Sequence, residues 1–296
     1  MKSFVALIRR EFLEHKGAFF YAPLGLVAVV LALALFAFGV NRVDFTTTGQ
    51  LATVVPTWVF EASYAGLAGA WLLYLAFVLF FYCADGFAAD KRNNAMLFWK
   101  SMPVSDFKVL MSKLTAAITL LPGTVFAVAL ISLALLYGVA YVASMAAGLG
   151  SGELLSAIVG SFGQMSLLFL AVVAAGLLWY LPYMALVGSM ATAVGRWAIP
   201  LSFFVPALIS SVEWVALGGP HPFATRTWEF LNARSQLPID TDYVGSVLDG
   251  ASNWNTGEFT THFLSTYDWV QAGIGVVVAI VLMVAASEYR RRSAAN

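Results

Sequence analysis

The side chains in this chain able to carry nucleophilic, acid–base or metal chemistry are few. There are three histidines, His15, His221 and His262, and one cysteine, Cys83. His221 and His262 share a polar segment with Asp242 and Glu258, a set that could hold a metal ion. Neither histidine stands at a ligand-type spacing, and both read as solvated loop residues. No HExxH, CxxC or GxSxG pattern occurs, and the chain contains no Gly-Lys pair. A phosphate-cradling loop of the Walker type is therefore absent, and with it that machinery for hydrolysing ATP. A single cysteine allows no disulfide framework within the chain. The chain reads as a non-enzyme with no metal or cofactor of its own.

Charges inside apolar runs are the second class of candidate, because an ionisable group within a bilayer is expensive and marks function by default. Two residues qualify, Asp85 and Glu213. Asp85 lies close to Lys91 and Arg92, and pairing with one of them is its ordinary explanation. Glu213 neighbours Ser210, Ser211 and Trp214. It reads as a group at headgroup level; the competing reading places it on a substrate path, with Ser210 and Tyr74, or in proton transfer. The array of buried acids and bases used by ion-coupled transporters is not evident, nor is an inverted repeat.

The elements that must position these residues follow from composition. The 296 residues are 60% hydrophobic and 11% charged, with a mean hydropathy of +0.82. A soluble domain carries about 25% charged residues. The balance is that of an all-α integral membrane protein forming one transmembrane domain over 1–296. A net charge of 0 argues against nucleic acid as a partner. Apolar runs predict six spans, at 18–40, 64–87, 114–141, 165–194, 197–217 and 269–286. Ahead of them, 1–16 is amphipathic. Met1, Phe4, Val5, Ile8 and Phe12 share one face, and Lys2, Arg9 and Lys16 another, which predicts an N-terminal helix lying in the membrane interface. The apolar run that follows is about twice the length of a signal-peptide core.

Pro122 falls in the first turns of the third span, and Pro182 is expected to bend the fourth. The small-residue stretch 146–163 reads as a short outer loop with about one helical turn. Gly195-Arg196 reads as a tight turn, and 218–268 as a long outer loop broken by Pro220, Pro222 and Pro238. Basic residues set the orientation. Lys2, Arg9, Arg10, Lys16, Lys91, Arg92, Lys100, Lys108, Lys113, Arg196, Arg290, Arg291 and Arg292 fall on one side, and Arg42, Arg226 and Arg234 on the other. Both termini and the 88–113 loop are thus expected in the cytoplasm of a multi-pass cell-membrane protein, with 218–268 outside.

The 88–113 loop is the longest charged, water-compatible segment in the first half of the chain. It carries Asp90, Lys91, Arg92, Asn93, Met96, Leu97, Trp99, Lys100, Met102, Pro103, Ser105 and Asp106. Residues 93–100 can form a short helix that Met102-Pro103 ends. Ser105 reads as the N-cap of a second helix running through Phe107, Leu110 and Met111 into the third span. A merely solvated loop has little use for Phe98, Trp99 and Met102 together, so the spacing points to a knob that docks onto a partner.

The acidic-basic cluster after the second span, then Met102-Pro103-Val104-Ser105, then Lys113 at the start of the third, resembles the permease subunits of ABC-2-type transporters. Methionine stands where that family's pattern has leucine. The resemblance extends to the layout: an interfacial N-terminal helix, six spans and a large outer segment before the last. It implies that 88–113 holds a coupling helix seated in a cleft of a separate ATPase subunit. ATP and Mg would belong to that partner, present in two copies, and a second permease copy or a related permease would complete the pathway. It further implies re-entrant helices in the outer segment, and transport, by the family's habit export. The alternatives are a secondary transporter or channel, and a membrane enzyme or assembly factor with its site in the outer loop.

Overall fold

The computed structural model describes residues 2–39, 57–92, 104–146, 152–236 and 255–293. The described residues are helical, with no strand among them. Six helical segments are long and apolar enough to cross a membrane: Ser3–Leu33, Phe60–Asp90, Asp106–Val142, Gly152–Val194, Ala198–Leu217 and Trp269–Arg292.

The charged N-terminal helix α1 (Lys2–Lys16) runs without a break through a π-helical turn, Gly17–Tyr21, into α2 (Ala22–Gly39). The wider turn leaves the Ala18 and Phe19 carbonyls accepting from the hydroxyls of Tyr74 and Thr124. On α1 the buried stripe differs from the apolar face read from sequence. Leu7 and Glu11 are buried, while Val5 and Leu13 are exposed. The helix packs along α4, and the packing line selects the face at positions 4, 7, 8, 11, 12 and 15, which keeps Phe4, Ile8 and Phe12 of the expected face.

Helix α3 (Thr57–Arg92) has 36 residues, more than the predicted 64–87. At about 1.5 Å per residue it overshoots a hydrocarbon core at both ends. The third span is two helices, α4 (Asp106–Ile118) and α5 (Leu120–Ala146), parted at Thr119. Pro122 has no N–H to return to Ile118, and the chain breaks there rather than bending smoothly. Ser105 caps α4 as expected, its hydroxyl accepting from the Lys108 N–H at 3.3 Å.

The fourth span, α6 (Gly152–Val194), has 43 residues and contains Pro182. The loop expected over 146–163 is helical from Gly152 onward. Ile158 and Ser161 are buried there, and this tertiary burial overrides the weak helix preference of Gly160 and Gly163. Gly195, at φ +60°, turns the chain into α7 (Ala198–Leu217), which Gly218, at φ +76°, ends. Among the described residues two short helices follow, α8 (Arg226–Ser235) and α9 (Thr256–Thr266), before the last span, α10 (Trp269–Ser293).

Helix α6 is the hub, packed most extensively against α3 and α10, while α2 and α7 lie at the periphery. Rings of Phe60, Tyr64, Tyr137 and Phe162 pack edge-on or tilted between α3, α5 and α6, with centroids 5.4–5.9 Å apart. Glycine at 188 eases the close approach of α3 and α6: a Cβ there would stand 3.1 Å from the Phe87 ring, which would have to give way.

Candidate functional site

Five charged side chains from four helices meet at one end of the bundle. On α1, Glu11 falls in the buried stripe four residues after Leu7. Its Oε1 lies 3.1 Å from Nζ of Lys113 on α4. That ammonium also donates to the Gly86 carbonyl at 2.9 Å, and stands 3.8 Å from Asp90 in the last turns of α3. Asp90 Oδ2 accepts from Arg290 of α10 at 2.9 Å. The Arg290 Nε lies 2.9 Å from Asp106, the first residue of α4. Glu11, Asp90, Lys113 and Arg290 are each no more than 3% exposed; Asp106 forms the network's wetter edge.

Buried charges survive only when paired and further hydrogen-bonded; Glu11, Lys113 and Asp90 meet both conditions, and Arg290 is ion-paired twice and donates to Asp90. Tyr82 Oη donates toward Glu11 Oε2 at 3.1 Å and lies 3.3 Å from the Lys113 carbonyl. The His15 ring packs edge-on against Tyr82 and comes within 4.0 Å of Glu11. The formal count is three carboxylates against two cations. Their arrangement ties α1, both helices that flank 93–103, and the end of α10 into one unit.

Of the residues read as a docking knob, Asp90, Arg92, Ser105 and Asp106 are placed here. Asp90 and Asp106 join the network, and Ser105 caps α4. Arg92 pairs with Asp85 in an exposed bridge, as anticipated, and the Asp85 carboxylate raises the Arg92 guanidinium above its ordinary range. Lys113 enters the network. Asn93, Met96, Leu97, Trp99, Lys100, Met102 and Pro103 lie outside the described residues, as does the Lys91 side chain.

The residues considered for a substrate path have structural partners. Tyr74 donates to the Ala18 carbonyl. Ser210 is buried against Thr225 and the Pro222 carbonyl. Glu213 accepts from the first N–H groups of α8, Arg226 at 3.2 Å and Thr227 at 3.1 Å, and so caps that helix. The other end of α8 is capped as thoroughly. Tyr183, Trp179 and Tyr180, which bracket Pro182, donate to the carbonyls of Leu231, Arg234 and Ser235 at 2.8–3.0 Å.

Arg234, 2% exposed, returns the bond to Trp179 O at 2.8 Å, reaches the Gln271 carbonyl, and stacks 4.8 Å from the Trp179 ring. Burial lowers the pKa of its guanidinium, and burial also raises that of the neighbouring Tyr267. A further acid, Glu61, accepts from Ser161 at 3.3 Å and Thr256 at 3.4 Å, linking α3, α6 and α9.

For metals, the described residues offer one cluster of three candidate ligands, Glu11, Glu14 and His15, with donor atoms within 4.8 Å. Glu11 is committed to Lys113 and Glu14 to Arg10 at 2.6 Å. His221 and His262 belong to no such cluster among the described residues.

The charge network was missed in the sequence because its contacts join residues up to 200 positions apart. Lys113 and Arg290 read there as membrane-flanking charges, and Glu11 carried no reading at all. One signal was available: Glu11 is an acid within the apolar stripe of an amphipathic helix, a placement that calls for a buried cation. Comparisons with protein-family models, with curated proteins and with solved structures find no match for this chain.

Proposed function

We propose that this chain is the membrane-spanning permease subunit of an ATP-driven ABC transporter of the ABC-2 type, working as an exporter. In this reading 88–113 is the segment gripped by a cytoplasmic ATPase subunit. ATP and Mg are bound by that partner, in two copies, and a second permease or a related one completes the pathway. The supporting observation is the buried network at the ends of this segment. A push on a loop moves a transmembrane domain only if the loop's roots are rigid. Asp90 and Asp106, one at each root, are held by cations of α4 and α10, and Lys113 extends the hold to α1. Closure of the ATPase pair would then displace α1, α3, α4 and α10 together and shift the inward- and outward-open populations.

The capping of α8 supports the same layout. The end groups of Arg226, Thr227, Leu231, Arg234 and Ser235 are met by side chains of α6 and α7, as a helix at membrane depth requires. This suits a re-entrant helix between the fifth and sixth spans. The same packing gives Ser210 and Glu213 a part in holding that helix.

The test is co-purification. Trp99→Ala combined with Met102→Ala is expected to abolish recovery of the ATPase subunit with the permease while leaving the permease folded. Undiminished recovery together with undiminished transport refutes the coupling role of 88–113.

A further inference from the structure

We infer that Arg290, on the final helix, is a positioning residue that staples the end of α3 to the start of α4, so that the last span sets the spacing of the two helices that flank 93–103. This rests on the reading of 88–113 as the ATPase-coupling segment.

The geometry is specific to this arginine. Asp90 stands two residues before the end of α3, and Asp106 is the first residue of α4. The Asp90 carboxylate accepts from Nη1 at 2.9 Å, and the Asp106 carboxylate stands 2.9 Å from Nε as an ion pair. A planar fork can hold two carboxylates at fixed mutual orientation; an ammonium is a point charge and cannot. The next two arginines do different work. Arg291 and Arg292 both pair with Glu288 on their own helix at 2.8 and 2.9 Å, and both are more than 70% exposed. Arg290 is 2% exposed and crosses 200 positions of sequence to reach Asp90. Lys113, further along α4, also ties that helix to α3, through its 3.8 Å approach to Asp90 and its bond to the Gly86 carbonyl. Arg290 adds the tie between the two end carboxylates themselves and brings α10 into it. A loop whose roots are cross-tied has fewer conformations to lose when a partner grips it.

The experiment uses the full chain in lipid nanodiscs with Cys83, the single and buried cysteine, changed to Ala. Spin labels are placed at positions 85 and 107, both exposed and on opposite sides of the segment. The parent protein is expected to give one narrow distance distribution. R290M and R290K are both expected to broaden it toward longer separations, and R291K to leave it unchanged. R290K is the decisive variant because it keeps the charge and so guards against simple misfolding. A distribution in R290K identical to the parent's overturns the staple, since charge alone would then suffice. The second arm measures ATPase activity of the reconstituted complex, where R290K is expected to lower the maximal rate of permease-stimulated hydrolysis without changing the KM for ATP. A changed distance in a chain whose parent form recruits no ATPase leaves the staple standing and refutes the coupling reading. A recruited ATPase with an unchanged distance refutes the staple alone.

Discussion

Replacing Lys113 by methionine tests whether the network holds the bundle end together. The ammonium is 1% exposed, 3.1 Å from Glu11 and 3.8 Å from Asp90. At an effective dielectric of about 20, these separations correspond to gross attractions of about 5 and about 4 kcal/mol. Desolvation of each buried ion offsets much of this. Removing the lysine loses the attraction yet leaves the Glu11 carboxylate buried, and a buried pair broken in this way costs about 3–5 kcal/mol. Unfolding in mixed detergent micelles, followed by tryptophan fluorescence, measures the loss. Adding Glu11→Gln should recover part of it, because the orphaned charge is gone while an acceptor for Tyr82 remains. A coupling within the range of about 0.5–3 kcal/mol is expected from the double-mutant cycle. Two results would refute the reasoning: a Lys113→Met cost below about 1 kcal/mol, the value of an exposed pair, or costs that add within about 0.5 kcal/mol.

Two further predictions concern the opposite half of the bundle. A Cβ at Gly275 would stand 2.5 Å from Arg234 Nη1 and 2.9 Å from Nη2. Gly275→Ala should therefore destabilise the fold by about 1–3 kcal/mol, and the same change made in an Arg234→Ala background should instead stabilise it by about 0.5–1 kcal/mol through helix propensity; thermal melts of the four proteins decide. Glu213→Gln removes the charged cap from α8, and hydrogen–deuterium exchange across 226–235 should quicken while α7 itself stays protected; unchanged uptake would mean that water or another group serves that helix end.

The spans were legible because a bilayer imposes a length and an apolar composition on any segment that crosses it. Ala198–Leu217 matches the expected fifth span almost to the residue, since Gly195 and Gly218 mark its ends with backbone angles other residues avoid. Helix α6 began 13 positions earlier than expected, at Gly152 rather than 165. Local preference there is weak, and packing of Ile158 and Ser161 decides. The Ser105 cap and the Asp85–Arg92 bridge were readable because their partners sit within seven positions. Glu11, Lys113, Asp90 and Arg290 were not, for the opposite reason. A charge at a helix end looks the same whether it faces headgroups or a distant carboxylate, and the contact that separates the two cases exists only after the helices assemble. Tyr74, Ser210 and Glu213 illustrate a related limit: polar residues in apolar runs can serve the backbone of a neighbouring segment, and nothing in their own spacing announces it.

The π-helical turn at Gly17–Tyr21 sets the angular phase between the N-terminal helix and the first span. It contains one residue more than an α-helical turn of the same hydrogen-bonded reach. Deleting a single residue there would rewind the turn to ordinary helix and rotate everything ahead of it by about 100°. Glu11 would then swing away from the lysine it neutralises, although no charged side chain had been touched. An insertion or deletion in this uncharged pentapeptide is thus a dial on the electrostatics of a site one and a half turns upstream.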